Sequence, residues 1–373
     1  MRKIDGFAIE ERGRTYLELI QSLQSEYSFH SPGNSQAIIE LLIQQAEGLR
    51  RIGRLDEAQS LFWRALALSR KADLPKCECW AHWGIGAVLR VRGAHVASTR
   101  EFRRALVNAD RIGERRCFLW SAAELTELDR IAGRLREAFL GHNHLLPEFR
   151  AIGDWKGVCW ASSGMAQVLR LHGELKGAAI QFIRSQEVSF AVGDMIGTAW
   201  ALRGQAEIAR ECGDSSLAIA LASKARGQFA SVGYGLGAAY ALKTHADSLI
   251  SEGLVDDALR IADQCWREFL ASGERRGIAF SLKTLGTAWA RVGEPSRAIR
   301  CLQQSRFLLS SHGAYEPRGF SPSVDWAIVL SNPSSRMHHR SVGEGVDLTT
   351  VRSIGGSAGS AVYDGRPTSN GRA

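Results

Sequence analysis

Two columns of side chains, one aromatic and one cationic, recur in this chain every forty residues. The aromatic column reads Trp80, Trp120, Trp160, Trp200, Tyr240 and Phe280, with Phe320 in the same phase. The cationic column, offset by ten residues, reads Arg50, Arg90, Arg130, Arg170 and Arg210, then lapses at Ile250 and Ala290. A guanidinium is a planar fork suited to bidentate capture of a carboxylate. An aromatic face offers a rigid apolar contact. Together the columns would suit a protein or peptide partner with apolar side chains and spaced acids. Each column also has a purely structural reading. At 100° per residue, Trp80 lies about 160° from the seam formed by positions 82, 86 and 89, so it is not buried within its own helix pair. It can instead pack between successive helices or against the end of the preceding one. Arginine in a last helical turn complements the negative end of the helix dipole. It can also pair with an acid three residues earlier, as at Glu47, Glu127 and Glu207. Exposed pairs of that kind contribute little, so truncating Arg130 and Arg170 is expected to leave the melting temperature unchanged.

Other chemistry-bearing groups do not assemble. Cys77, Cys79 and His82 form a CxCxxH cluster, but a zinc site needs a second ligand pair and none is near in sequence. His142 and His144 fall on opposite sides of a helix and cannot chelate together. The stretch GYGLG (233–237) is not a dinucleotide fingerprint and follows no strand. HExxH, GxSxG and GxxxxGK[ST] are absent. No nucleophile, base and orienting group can be gathered. The expectation is a protein with no catalytic residues, no metal and no cofactor.

The elements that carry the columns are set by glycine. Stepping by twenty from residue 13 to residue 313 meets glycine at fifteen of sixteen positions, the exception being Asp73. A fixed period of this kind marks a repeat architecture. Between glycines, apolar residues recur at i, i+3, i+4 and i+7, as at Ala58, Phe62, Ala65 and Leu66. Each segment therefore reads as an amphipathic helix of about sixteen residues, roughly 24 Å long, ended by a glycine free to turn left-handed. Ser31–Ser35 reads as a turn ahead of the first full pair. Small residues stand at Ala58, Ser98, Ala138, Ala178, Ala218, Ala258 and Ala298 in the second helices, and at Ala46, Gly86, Thr126, Ala166, Ala206, Ala246 and Gly286 in the first. Two such columns let paired helices cross closely.

A small residue, a glycine, then GxxxxA with an aromatic four residues on (Phe62, Phe102, Phe182) resembles the tetratricopeptide repeat in its forty-residue form. Copies such as residues 193–225 resemble the repeat arrays of large bacterial ATPase-type transcription regulators. The resemblance covers about residues 34–313 and implies an all-α, right-handed superhelical solenoid of seven antiparallel helix pairs. It carries over the scaffold alone, because the phosphate loop of those regulators is missing and no room remains for a DNA-binding domain. Residues 1–33 are expected to hold an N-terminal half-repeat cap, 314–331 a capping helix and 332–373 a disordered tail rich in Ser, Gly and Arg. Regular helix pairs present an extended surface used for recognition. The expected function is an adaptor that binds a protein or peptide in its concave groove. A peptide- or ligand-responsive regulator is the alternative, and nucleic-acid binding through the basic groove a second.

Composition sets outer limits. The net charge of +8 lies almost wholly on the repeats, since residues 314–373 contribute only +1, and just eight of the 47 basic residues are lysine. The N-terminus lacks the apolar run of a signal peptide, and no stretch reaches membrane-spanning length. Seven cysteines, an odd number set inside helical runs, are expected to be reduced thiols in a cytoplasm.

Overall fold

The computed structural model describes residues 32–310. Within them are fourteen helices: α1 (Pro32–Ile52), α2 (Leu55–Lys71), α3 (Pro75–Val91), α4 (His95–Arg111), α5 (Arg115–Ile131), α6 (Leu135–Ala151), α7 (Trp155–His172), α8 (Leu175–Ala191), α9 (Met195–Glu211), α10 (Ser215–Ser231), α11 (Gly235–Glu252), α12 (Val255–Ser272), α13 (Arg275–Val292) and α14 (Pro295–Ser310). They form seven antiparallel hairpins, α1–α2 to α13–α14, stacked as a right-handed superhelical solenoid. The expected N-terminal half-repeat, the capping helix at 314–331 and the tail at 332–373 lie outside the described residues.

Glycine ends the helices because the chain there turns left-handed. Every lattice glycine from Gly53 to Gly293 has a positive φ, between 64° and 90°. At Gly173 (φ 88°) the glycine N–H donates to the Arg170 carbonyl at 2.9 Å and the Glu174 N–H to the Leu169 carbonyl at 2.9 Å. Two carbonyls at the helix end are thereby satisfied. Asp73 takes the same turn with a φ of 51° despite its Cβ. Of the expected turn at Ser31–Ser35, positions 32–35 belong to α1, which begins at Pro32, and Ser31 lies outside the described residues. Proline is tolerated at a first helical position because its missing N–H would have no partner there.

The two small columns face one another. All seven small residues of the second helices, from Ala58 to Ala298, are fully buried. The Ser98 hydroxyl donates to the Gly86 carbonyl at 2.8 Å, joining one column to the other. Successive hairpins interlock through large side chains set into glycine gaps. A Cβ at Gly84 would lie 2.0 Å from the Phe62 ring, and one at Gly204 2.3 Å from Phe182. Phe149, Phe229 and Phe269 likewise fill the space beside Gly157, Gly237 and Gly277. Packing this tight leaves no room for a methyl group at those glycines.

The superhelix also closes on itself. In a solenoid each repeat touches its sequence neighbours. Here α1 additionally packs against α11, five hairpins further on. Leu236 is buried within the core of the first hairpin, with Tyr234 against it. No described helix is long and apolar enough to cross a membrane.

Candidate functional site

The first helix of every hairpin points its inner side at one axial channel of about 1630 Å³. Its lining runs from Glu40 on α1 to Arg291 on α13. All the site residues expected from the sequence reach it: Trp80, Trp120, Trp160, Trp200, Tyr240, Arg90, Arg130, Arg170 and Arg210. Small-molecule pockets typically enclose about 300–1,000 Å³, so this space suits a longer occupant.

The aromatic column does two jobs at once. Each ring is half-buried, with one side on the channel and another on a neighbouring repeat. Trp120 stands 5.3 Å from Phe149 and 6.1 Å from Trp160 between ring centres. Trp200 is 5.0 Å from Phe229 and 5.9 Å from Tyr240, and Tyr240 is 4.8 Å from Phe269. These are the tilted and edge-on distances at which aromatic pairs attract. The polar tips are also used. The Trp120 indole N–H donates to Asp154 at 2.9 Å, and the Tyr240 hydroxyl donates to Glu274 at 2.9 Å. Both acids accept in turn from the first turn of the next hairpin, at the Gly157 and Gly277 N–H groups. Burial, and then the Glu274 charge, push the Tyr240 hydroxyl well above its ordinary pKa.

The arginine column faces the channel but is largely matched by acids. Arg50 grips Glu47 with two bonds of 2.6 and 2.7 Å. Arg90 reaches across to Glu124 on the next hairpin at 2.7 Å. Arg130 holds Glu127 at 2.5 and 2.8 Å. Arg170 lies 2.5 Å from Glu211 and 3.5 Å from Glu207, and Arg210 3.4 Å from Glu211. Glu207 therefore does not serve the arginine three residues on. It is held by Arg203 at 3.2 Å and by the Gln167 amide at 3.0 Å. Nor are these pairs exposed: the Arg130 and Glu127 side chains are only 15% and 14% accessible. The expectation that their loss would leave stability unchanged therefore fails at its premise.

Burial and charge compete at each acid. Burial favours the neutral form, yet Arg50 and Arg51 hold Glu47 at about 2. Arg130 does the same for Glu127, also at about 2. At Glu124 burial wins over Arg90 and Arg50, and its pKa rises. Glu274 is raised for the same reason despite Arg276 and the Tyr240 hydroxyl. Arg203 shows the opposite imbalance. Burial lowers its pKa, and Arg170 and Arg130 add repulsion against the pull of Glu207.

The sequence reading missed Arg203, whose guanidinium lies 5.0 Å from the Trp200 ring centre and 5.5 Å from that of Tyr240. The signal was present three residues after the aromatic column, where Arg203, Lys243 and Lys283 follow Trp83, Ala123 and Ser163. Lys243 pairs with Asp247 at 2.5 Å. In total the lining holds fourteen basic and nine acidic side chains, a surplus of five positive charges.

The remaining clusters are structural. His82 is buried, with Nδ1 2.6 Å from Glu101 and Nε2 3.2 Å from Arg70. Among the described residues no group of three or more His, Cys, Asp or Glu is placed to hold a metal ion. His142 is buried in the slot that Phe62, Phe102 and Phe182 fill elsewhere, while His144 is exposed.

Seven stacked hairpins with small facing columns around a concave lining define the tetratricopeptide-repeat fold. A solved Rap protein in complex with Competence and Sporulation Factor is 12% identical, covers 91% of this chain and 96% of its own, and superposes with a TM-score of 0.59. A signal transduction ATPase with numerous domains and a tetratricopeptide repeat sensor, from Pyrococcus horikoshii, is 14% identical (89% of this chain, 56% of that chain, TM-score 0.45). A tetratricopeptide repeat protein from Parabacteroides merdae is also 14% identical (78% of this chain, 97% of that chain, TM-score 0.43). No family model and no curated protein matches the chain in sequence.

Proposed function

We infer that this is a binding protein whose channel receives an extended polypeptide segment with apolar and acidic side chains, and that it works by recognition and not by catalysis. The observation that carries the reading is the lining itself. Aromatic faces from six successive hairpins border a space with five surplus positive charges. Aromatic and arginine side chains are those that dominate binding energy in buried interfaces. The solved Rap protein of similar fold holds Competence and Sporulation Factor, which supports a ligand-binding use of this fold by analogy alone. Nucleic acid is the weaker reading, because a polyanion charged at every nucleotide would meet the nine carboxylates of the lining, whereas a peptide with spaced acids need match only the five surplus cations.

The test is fluorescence anisotropy with a labelled ten-residue peptide of alternating Leu and Glu. Gly48 lines the channel, and a Cβ there meets nothing within 4 Å. Gly48→Trp should therefore narrow the channel at its α1 wall without disturbing the fold. Wild type should bind the peptide. Gly48→Trp should bind it at least tenfold more weakly, as should wild type a Leu–Lys counterpart, a difference of about 1.4 kcal/mol. Equal binding of both peptides, or undiminished binding by Gly48→Trp, refutes the channel as the site.

A further inference from the structure

The contact between the first and sixth hairpins turns a groove into an enclosure. An open solenoid offers its concave surface sideways, so a partner can be laid in from the flank. Here the flank is shut where the turn ending α1 meets the start of α11 and the end of α12. A Cβ at Gly53 would lie 2.9 Å from the Ser272 Cβ, and one at Gly235 would lie 3.4 Å from the Ile52 carbonyl oxygen. At Gly53 the missing Cβ is what lets the two backbones come this close, while a Cβ at Gly235 would make an ordinary contact. Leu236, 6% exposed, is the one large apolar side chain that crosses from the sixth hairpin into the core of the first, with Tyr234 half-buried beside it.

The seam is small compared with the joints between consecutive hairpins. Those joints bury rings such as Phe62, Phe182 and Phe269 completely, each locked into a glycine gap. The seam relies on one leucine, one tyrosine and close backbones. In an array held by nearest-neighbour interfaces, the weakest interface opens first. Opening it needs no hairpin to unfold, because every hairpin keeps its own sequence neighbours. The same joint borders the channel: Ile52, Tyr234 and Leu236 belong to its lining. An occupant would therefore touch the seam directly.

We propose that this seam is a clasp: the channel closes around its ligand, which is a single extended polypeptide segment with a free end, and folded domains and the middle of a tethered loop are shut out while the clasp is closed. The proposal rests on the channel reading given above. It adds a class of partner, one able to thread or be encircled, and a gate, the breathing of the first hairpin against the sixth. Release of the ligand is then governed by the clasp as well as by the contacts in the channel.

Leu236→Asp is the chosen perturbation. Position 236 is the second residue of α11, where a carboxylate favours the helix N-terminus, so α11 is retained while the seam is broken. Ser272→Lys wedges the same seam from α12. Leu140→Asp on α6, already exposed, is the control. Without ligand, both seam variants should show a larger radius of gyration by X-ray scattering. They should also show at least tenfold faster amide exchange at the end of α1 and the start of α11, with circular dichroism unchanged; the control should match wild type. The second measurement uses the Leu–Glu peptide fused to one small folded protein at its N-terminus, or flanked by folded proteins at both ends. Wild type should capture the singly flanked form at least tenfold faster than the doubly flanked one, and Leu236→Asp should capture both at similar rates. Equal capture of the two forms by wild type overturns the clasp. So does unchanged scattering and exchange in both seam variants. Should neither peptide form bind, the channel reading fails, and the scattering and exchange results alone decide whether the seam closes the ring.

Discussion

Arg130→Ala should destabilise the protein although its partner lies within one helix turn. Arg130 gives Glu127 two charge-assisted bonds of 2.5 and 2.8 Å in a place where both side chains are nearly inaccessible. Burial alone would raise the Glu127 pKa, yet with Arg130 present it is held at about 2 against an ordinary 4.5. A tenfold change in a proton dissociation constant corresponds to about 1.4 kcal/mol, so Arg130, with lesser help from Arg90 and Arg276, favours the ionised Glu127 by on the order of 3 kcal/mol against burial. Removing only the arginine leaves a buried carboxylate without its partner, which is the costly way to break such a pair. The expected loss is about 2–3 kcal/mol at pH 7 for Arg130→Ala, and clearly less than the sum of the single losses for Arg130→Ala with Glu127→Gln. Glu127 has a depressed pKa in the folded state, so its contribution is complete above about pH 4.5 and is lost as pH falls towards 2. The gap between Arg130→Ala and wild type should narrow over that window. Urea unfolding followed by circular dichroism measures the cycle. Amide exchange in α5 gives a local reading in case the array unfolds in stages. Unfolding of Arg130→Ala at the wild-type urea concentration, or single losses that simply add, would refute the reasoning.

Two further outcomes are expected besides those of the channel and clasp experiments. Asp73→Gly should stabilise the protein by about 1 kcal/mol in urea unfolding, because Asp73 adopts a φ of 51° that costs a side chain of this hand about 1–2 kcal/mol; no gain would mean that the carboxylate makes good the strain. His142→Phe should also stabilise at pH 7, by about 1–2 kcal/mol, since neither ring nitrogen has a hydrogen-bond partner among the described residues. Burial holds the His142 pKa at about 4, below an ordinary 6.5. The unfolded chain therefore takes up this proton first, and wild-type stability should fall as pH drops from about 6.5 to 4. A His142→Phe variant with the same slope over that range would show that other groups cause it.

The sequence by itself determined the hairpin and its period. Glycine at all but one of the twentieth positions answers a local requirement: a left-handed residue is needed wherever a helix ends and the chain reverses, and the residue type decides how readily it is met, as the strained Asp73 shows. The small columns are of the same kind, since the approach of two helices within a hairpin depends on side chains a few turns apart. Even the interlocking of Phe62 with Gly84 could have been read, as a large residue and a gap twenty-two residues apart. The fate of the arginines was not legible as a whole: Arg203 with Glu207 is an ordinary i,i+4 pair within α9, but Arg90 finds Glu124 and Glu207 finds Gln167 only when neighbouring hairpins are rotated into place. The double use of each aromatic ring depends on the same rotation. The seam between Gly53 and Ser272, more than two hundred residues apart, depends on more still. A small twist repeated from hairpin to hairpin accumulates until the sixth meets the first, and no single repeat contains that sum. Periodicity is a property of one repeat and its neighbour, so the sequence displays it directly; closure is a property of the whole array, and only the tertiary structure decides it.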